Sequence, residues 1–325
     1  MSNTNICFVM DRLESLNLKK DTTLAFMLEA QQRGYSVFAT YPHLLTIENN
    51  RDKDSVANIR ITTSAQKVNL HIQAEKTIAW EVVEEKTIYL DSMDIVFMRQ
   101  DPPLDLRYLN TTYILDIVQA HGVKVVNNPT SVRSANEKLM AYFFKDCGPP
   151  SLVSTQKSLF KAFLQKWQDI IIKPLDGMGG QGIFRVKLGD QNLDSIIETL
   201  SSNGLTHLMA QKYLPEIVDG DKRILIINGK PISHSLARIP QAGELRGNLA
   251  AGGSGVAKPL TERDRWLCAQ VGPKLVEAGL TFVGLDVIGD YITEINVTSP
   301  TCVRELDAQL NMNISGLLFD QLECL

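Results

Sequence analysis

The chain carries no obvious framework for a metal or for disulfides. Its five cysteines, Cys7, Cys147, Cys268, Cys302 and Cys324, are scattered, with no C-x-x-C, and its five histidines show no H-E-x-x-H spacing. A cysteine zinc site and a disulfide scaffold are therefore not expected, and a reducing, cytoplasmic setting is. No apolar run approaches the roughly 18 residues that a bilayer span requires, so no membrane association is expected. Neither sign of charge dominates: 33 Lys and Arg stand against 37 Asp and Glu, a net charge of −4. That balance removes the global electrostatic case for duplex nucleic acid or an anionic membrane. The opening residues, Met1-Ser2-Asn3-Thr4-Asn5, lack the basic start of a secretion signal. Internal repeats and low-complexity tracts are missing too. What is present is 325 residues, 44% apolar and 22% charged. Such a chain folds, is too long for one ordinary domain, and reads as an α/β enzyme of two or three subdomains.

Apolar Ile6 to Met10, a helical spacing from Thr22 to Arg33 stopped by Gly34, and Tyr35 to Ala39 make a β-α-β start, the signature of an open parallel sheet. Asp94 to Met98 and Val123 to Val126 read as further core strands around a helix from Leu106 to His121. Before them, residues 59–90 alternate as small inserted antiparallel strands. Pro102-Pro103 and Asn127-Asn128-Pro129 are hard breaks, and a first boundary is placed near Asn128. Beyond it a helix is expected from Ser131 to about Lys145, capped by Ser131 or Ser134. Strands follow at Leu152-Val153, Ile170 to Lys173, Ile183 to Val186 and His207 to Gln211, with helices around Ser158 to Trp167 and Asn192 to Ser202. Asn228-Gly229 marks a hairpin between Arg223 to Ile227 and Ile232 to Arg238. Pro240 to Pro259 is glycine-rich and long for an unstructured loop, the kind that serves function. A helix from Thr261 to Ala278, strands Phe282 to Ile288 and Ile292 to Val297, and two short helices complete the chain.

Gly177, Gly179 and Gly182 fit G-x-G-x-x-G, but a dinucleotide fingerprint opens a helix, and Ile183-Phe184-Arg185-Val186 is strand-like. A nicotinamide dehydrogenase is thereby disfavoured. No G-x-x-x-x-G-K-[ST] exists, and no H-R-D or D-F-G follows as in a kinase. A glycine turn between antiparallel strands can instead fold over a triphosphate with its N–H groups as donors; an ordinary flexible hairpin is the alternative. Lys173 closes the apolar strand before this loop, where it could reach a phosphate or snorkel to solvent. Lys138 taken alone reads as a surface helix lysine.

Near the C-terminus, Asp286 interrupts an apolar strand, and Glu294 and Asn296 share a face of the next. Oxygen-bearing side chains among Ile and Val are costly unless hydrogen-bonded or bound to a cation, and this hard oxygen set suits Mg²⁺. A three-residue turn at Gly289-Asp290-Tyr291 would put Asp286 opposite Glu294; a two-residue turn would send it to the other face. A solvated sheet face is the bland alternative.

Lys138, Lys173, the glycine loop, a hydrophobic hinge, then Asp286 with Glu294-x-Asn296 together resemble the ATP-grasp superfamily of carboxylate–amine ligases. The strings Ile172-Lys173-Pro174-Leu175-Asp176-Gly177-Met178-Gly179-Gly180, Arg99-Gln100-Asp101-Pro102-Pro103, Asp219-Gly220-Asp221-Lys222-Arg223 and Ala237-Arg238-Ile239-Pro240-Gln241 are similar to the prokaryotic glutathione synthetase family. Arg246-Gly247-Asn248-Leu249-Ala250-Ala251-Gly252-Gly253 and Thr293-Glu294-Ile295-Asn296-Val297-Thr298-Ser299-Pro300-Thr301 match it as well, as does Leu18-Lys19-Lys20-Asp21. The likeness spans the chain and is weak only over 49–90. It implies an ATP-grasp fold behind an N-terminal open parallel-sheet, Rossmann-like domain. The implied division is 1–128 on the dipeptide side, 129–211 as a lid subdomain bearing the glycine loop, and 212–325 with the metal site and a mobile loop at 240–259.

The resemblance implies that ATP drives the joining of γ-glutamylcysteine to glycine through an acyl phosphate, with two Mg²⁺ ions held by Asp286, Glu294 and Asn296 and with Mn²⁺ admissible. Lys138 and Lys173 are implied at the ATP phosphates, and Gly177, Gly179, Gly180 and Gly182 in the lid. Gln211, Lys212, Tyr213 and Leu214 form the adenine hinge, chiefly through backbone groups, and Asp221 meets the ribose. Arg223 and Arg238 neutralise the acyl phosphate or oxyanion, while Arg246 closes over the site to exclude water. Arg99, Ser299, Thr301 and Arg304 are implied at the dipeptide. Partners are small molecules only, with a homotetramer implied by the family. The alternatives are another ligase of this fold, such as a D-alanine–D-alanine ligase or a peptide-tail glutamate ligase, and a catalytically silent ATP-binding module.

Overall fold

The computed structural model describes residues 4–49, 59–74, 77–177, 179–241, 247 and 253–324. Three sheets organise them. The first has seven strands, β1 (Asn5–Met10), β2 (Ser36–Thr40), β3 (Thr46–Asn49), β4 (Ile59–Ile72), β5 (Ile78–Tyr89), β6 (Ile95–Arg99) and β7 (Lys124–Val126). Its parallel centre runs β2-β1-β6-β7, fully buried apolar runs that need cover on both faces. Helix α1 (Thr22–Gln32) covers it, capped by Asp21, whose carboxylate accepts from Leu24 N at 2.8 Å. Helix α2 (Leu106–Ala120) is capped in the same way by Asp105. The small inserted strands expected over 59–90 are instead a long hairpin, 14 and 12 residues, joined to the main sheet through β2 and β4.

The helix expected from Ser131 to Lys145 is broken. Helix α3 spans only Pro129–Ser134, and its cap is Asn128 rather than Ser131 or Ser134. Asn136 then turns its side chain back on the chain, Oδ1 accepting from Lys138 N and Leu139 N at 3.1 and 3.0 Å. Such local bonds compete with helix continuation, and a short 3₁₀ turn over Leu139–Phe143 follows. Lys138 therefore stands at a bend, not on a helix.

The second sheet holds β8 (Ser151–Ser154), β9 (Asp169–Pro174), β10 (Phe184–Lys187) and β11 (Leu208–Lys212) in the order β10-β9-β11-β8. Helices α4 (Lys157–Trp167) and α5 (Leu193–Leu200) close its own core around Phe160, Ile170 and Ile172. The third sheet runs β14-β13-β12-β15-β16, from β12 (Asp221–Ile227), β13 (Lys230–Ile239), β14 (Ser254–Pro259), β15 (Phe282–Ile288) and β16 (Tyr291–Asn296). The tight β12–β13 turn has Asn228 and Gly229 at φ 46° and 75°, the left-handed pair expected of Asn-Gly. Within the presumed loop 240–259, Ser254–Pro259 is strand, paired to β13. Helices α6 (Glu262–Glu277), α7 (Val303–Leu310) and α8 (Ile314–Cys324) follow, α6 opening with a capping box between Thr261 and Asp264.

First and third sheets share cores. Asn127, just after β7, bridges them: Nδ2 donates to the carbonyls of Phe282 and Val297 at 2.8 and 2.9 Å, and Oδ1 accepts from Phe282 N at 2.9 Å. Its buried amide is thus satisfied by both sides of the joint.

No helix among the described residues is long and apolar enough to cross a membrane. Cys7, Cys147, Cys268 and Cys302 are buried and Cys324 is exposed. Burial pushes the Cys268 thiol up to about 12 and raises the other three as well. A thiol-reactive chromophore at pH 8 should therefore titrate one fast equivalent in the native protein and all five after unfolding; two or more fast equivalents would contradict this packing.

Candidate active site

The third sheet brings carboxylates and guanidinium groups onto one face. Ile288 pairs with Tyr291 and Val287 with Ile292, so the β15–β16 turn has two residues, Gly289 and Asp290. By simple alternation this would turn Asp286 away from Glu294. A bulge intervenes: the ladder skips Thr293, and Asp286 pairs with Glu294 and Gly284 with Asn296. The three side chains share a face by a route that the turn-length criterion did not include.

Asp286 also pairs with Arg223 on β12, and Asp221 pairs with Arg238 on β13. Arg223 Nε and Nη2 donate to the two Asp286 oxygens at 2.5 and 3.0 Å. Arg238 Nη2 lies 2.5 Å from Asp221 Oδ2 and 2.9 Å from Asp286 Oδ2. Burial alone would raise the Asp286 carboxyl, but the two guanidinium groups hold it below the ordinary range. Asp221, buried beside Asp286 and Glu294 and offset only in part by Arg238, is pushed up to about 6. Its Oδ1 is buried without a hydrogen-bond partner among the described residues, and the residue lines a cavity. Glycine is required at 284, where a Cβ would stand 2.8 Å from Arg223 Cδ and 3.1 Å from Pro300 Cβ.

Two cavities open on this face. The first, about 930 Å³ counted out to its mouth, lies between the second and third sheets. Lys138, Lys173, Gly177, Gly179, Gly180, Gln211, Lys212, Tyr213, Leu214 and Asp221 all line it. Lys138 and Lys173 are both buried, and they share one counter-ion: Glu294 Oε1 is 3.7 and 3.4 Å from their Nζ atoms. Burial lowers the Lys173 ammonium, with Glu294 opposing and Lys138 adding to the effect. Lys138 Nζ also donates to Gly177 O at 2.7 Å, tethering the glycine loop. Gly179, Gly180 and Gly182 have positive φ, so the chain doubles back between β9 and β10, which pair antiparallel as expected. The apolar end is walled by Ile171, Ile183, Ile217 and Ile288. There the N–H groups of Lys212 and Tyr213 are already bonded to the carbonyls of Pro150 and Asp169. Those two donors are thus engaged within the fold.

The second cavity shares Gly177, Gly179, Asp286 and Glu294 with the first and adds Arg223, Arg238, Asn296, Ser299 and Thr301. Ser299 Oγ donates to Asp101. Arg99 and Arg304 are not among its lining residues. The Arg99 guanidinium is buried near the Phe26 and Phe282 rings and donates to Thr23 Oγ1 and Pro300 O, both at 3.1 Å. Arg304 donates to Leu18 O. Arg99 thus meets the 299–301 turn through Pro300. Arg246 lies outside the described residues. Sequence reasoning missed Glu137 and Cys302, which also line the second cavity; Glu137 was hidden because its segment read as an exposed helix.

A metal fits the donor set: two carboxylates and an amide on one face, with no His or Cys. The Asp286 oxygens are at present occupied by Arg223 and Arg238. Among the described residues no group of three or more His, Cys, Asp or Glu side chains is arranged to hold a metal ion.

The architecture is that of the ATP-grasp ligases. The solved structure of the D-cycloserine synthetase DcsG superposes with a TM-score of 0.63 at 15% identity, over 98% of this chain and 99% of that one. The ATP-grasp ligase PsnB, complexed with a minimal precursor, superposes with a TM-score of 0.62 at 17% identity over 99% of each. At such identities the likeness carries the fold alone. Sequence comparison reaches further: the family models for the N-terminal domain and the ATP-grasp domain of prokaryotic glutathione synthetase match residues 4–133 and 137–311. The glutathione synthetase of Xylella fastidiosa is 48% identical over 319 residues, 98% of both chains. That of Pseudomonas putida is 50% identical over 315 residues, 97% of this chain and 96% of its own. The chain belongs to the prokaryotic glutathione synthetase family.

Replacing Lys173 by Met keeps the apolar stem and removes one of the two buried ammonium groups. Nucleotide affinity measured by calorimetry should fall at least about tenfold with folding retained. Gly284→Ala should displace Arg223, lowering turnover by about an order of magnitude and the thermal midpoint by a few degrees. Unchanged turnover would mean that Arg223 is free to move.

Proposed function

We propose that the chain joins γ-L-glutamyl-L-cysteine to glycine, consuming ATP and releasing ADP and phosphate through an acyl phosphate. The observation that carries this reading is the pair of adjoining cavities with a common wall of Gly177, Gly179, Asp286 and Glu294. One has buried lysines and an apolar end, as a nucleotide requires; the other has buried arginines and hydroxyls, as a carboxylate substrate requires.

A carboxylate is a poor electrophile, and phosphorylation gives it a leaving group. The cysteinyl carboxylate oxygen attacks the γ-phosphorus and ADP leaves; the glycine amine then attacks the acyl carbon, loses a proton and expels phosphate. Lys138 and Lys173 would hold the phosphates, with N–H groups of the 177–182 turn as further donors. Asp221 Oδ1 would take a ribose hydroxyl. Arg223 and Arg238 would face the transferred phosphoryl group and the oxyanion. Asp286, Glu294 and Asn296 would hold Mg²⁺, which neutralises phosphate charge when bound. Ser299 and Thr301 would touch the dipeptide, with Arg99 holding their turn through Pro300 O and Arg304 nearby, and Arg246 would close the site.

The same reading divides the chain functionally into 1–128, 129–211 and 212–325, supported by the three sheets. A reducing cytoplasmic setting is supported by the free thiols, and a homotetramer by the family resemblance alone.

The test is ADP release with Mg-ATP, γ-glutamylcysteine and glycine, omitting each in turn. Turnover should require all of them, with glutathione seen by mass. Release driven by D-alanine or glutamate in place of the named substrates would reassign the second cavity. Nucleotide binding without turnover on any acceptor would sink the mechanism.

A further inference from the structure

Strand β16 is the outer strand of its sheet, and its free edge is covered by the segment after α3. Ile292 N donates to Cys147 O at 2.8 Å and Ile295 N to Glu137 O at 2.8 Å. Past the end of the strand a side chain continues the ladder: Glu137 Oε1 accepts from Val297 N at 3.0 Å, Thr298 N at 3.4 Å and Thr298 Oγ1 at 3.0 Å. One carboxylate oxygen thus holds the chain where it leaves Asn296 and heads into the Ser299-Pro300-Thr301 turn. The next residue along from Glu137 is Lys138, whose Nζ reaches Gly177 O and Glu294. Residue 137 also lines the second cavity. Burial and the Glu294 carboxylate raise the Glu137 carboxyl, while the bonds it accepts from residues 297 and 298 pull it back.

We propose that Glu137 is a positioning residue for the ligation: it clamps the 297–298 turn against the bend that carries Lys138, and so sets the distance between the nucleotide cavity and the dipeptide cavity. The assignment rests on the function proposed above. The work of Glu137 is geometric, one acceptor oxygen serving three donors, and its negative charge is not what the clamp needs. Loss of the clamp leaves the nucleotide cavity intact and lets the second cavity drift, and misplacement on the scale of an ångström is enough to cost turnover heavily.

The experiment compares Glu137→Ala and Glu137→Gln with the unaltered enzyme in ligation kinetics, thermal unfolding and ADP calorimetry. Gln keeps an acceptor oxygen at the same reach. Glu137→Ala should lose about tenfold or more in kcat, with ADP affinity within about threefold of the starting value, and Glu137→Gln should recover most of the kcat. If Gln is as impaired as Ala, the charge itself acts and the clamp is wrong. If Ala loses thermal stability but keeps its kcat, the residue is structural only. Should Glu137→Ala fail to fold, Thr298→Val, which removes one bond of the three, replaces it, with a drop of severalfold in kcat expected and an unchanged kcat overturning the proposal. An unaltered enzyme that turns over none of the named substrates would refute the function instead, so the two failures are distinguishable.

Discussion

The buried charge chain Asp221–Arg238–Asp286–Arg223 is the constraint around which the third sheet is built. Taking each of these ions out of water costs several kcal/mol, and only close pairing with satisfied hydrogen bonds offsets it. Three strands must therefore stay in register to within one residue. Asp286 opposite Arg223 fixes β15 on β12, and Asp221 opposite Arg238 fixes β12 on β13. The alternation of sign also leaves the face nearly balanced, with Lys138 and Lys173 sharing Glu294. Two buried ammonium groups against one carboxylate leave a local excess of positive charge in the first cavity.

Holding that face against its neighbours falls to small polar devices. Asn127 joins the first sheet to β15 and to the chain after β16 with three hydrogen bonds. Lys222, next to Asp221, pairs with Asp264 in the capping box of α6, so the helix that backs the sheet is pinned to the strand that carries the site. The second sheet has its own core and meets the others at the cleft. It brings the glycine turn on one strand connection and the 211–214 segment on another.

Much of this was legible in the residues. Apolar runs marked the parallel strands because a strand buried on both faces has no polar side. Asn228-Gly229 marked its hairpin because both residues tolerate positive φ. Lys173 at the end of an isoleucine run and Asp286 inside an apolar strand stood out as charges with no place in a core. The rest depended on interactions that local pattern does not encode. Asn136 broke the helix after α3 by bonding its side chain to its own backbone, an outcome that periodicity does not distinguish from a longer helix. The bulge at Thr293 left no trace in the alternation of Tyr291 to Asn296. Glu137 looked like a solvated helix residue because its partners lie some 160 positions away. The burial of Arg99 beside Phe26 and Phe282, with its bond to Pro300 O, likewise depends on residues far along the chain.

The bulge at Thr293 has a consequence for how this hairpin tolerates change. A two-residue turn and one skipped residue together act as a vernier: two parity errors that cancel. A three-residue turn without the bulge would reach the same pairing of Asp286 with Glu294, and so would the present turn with Thr293 deleted, whereas loss of the bulge at unchanged length and turn would send Glu294 and Asn296 to the opposite side of the sheet. The face that Glu294 presents is therefore set by turn and bulge jointly, even though the tip at Gly289-Asp290 lies beyond the carboxylates they align.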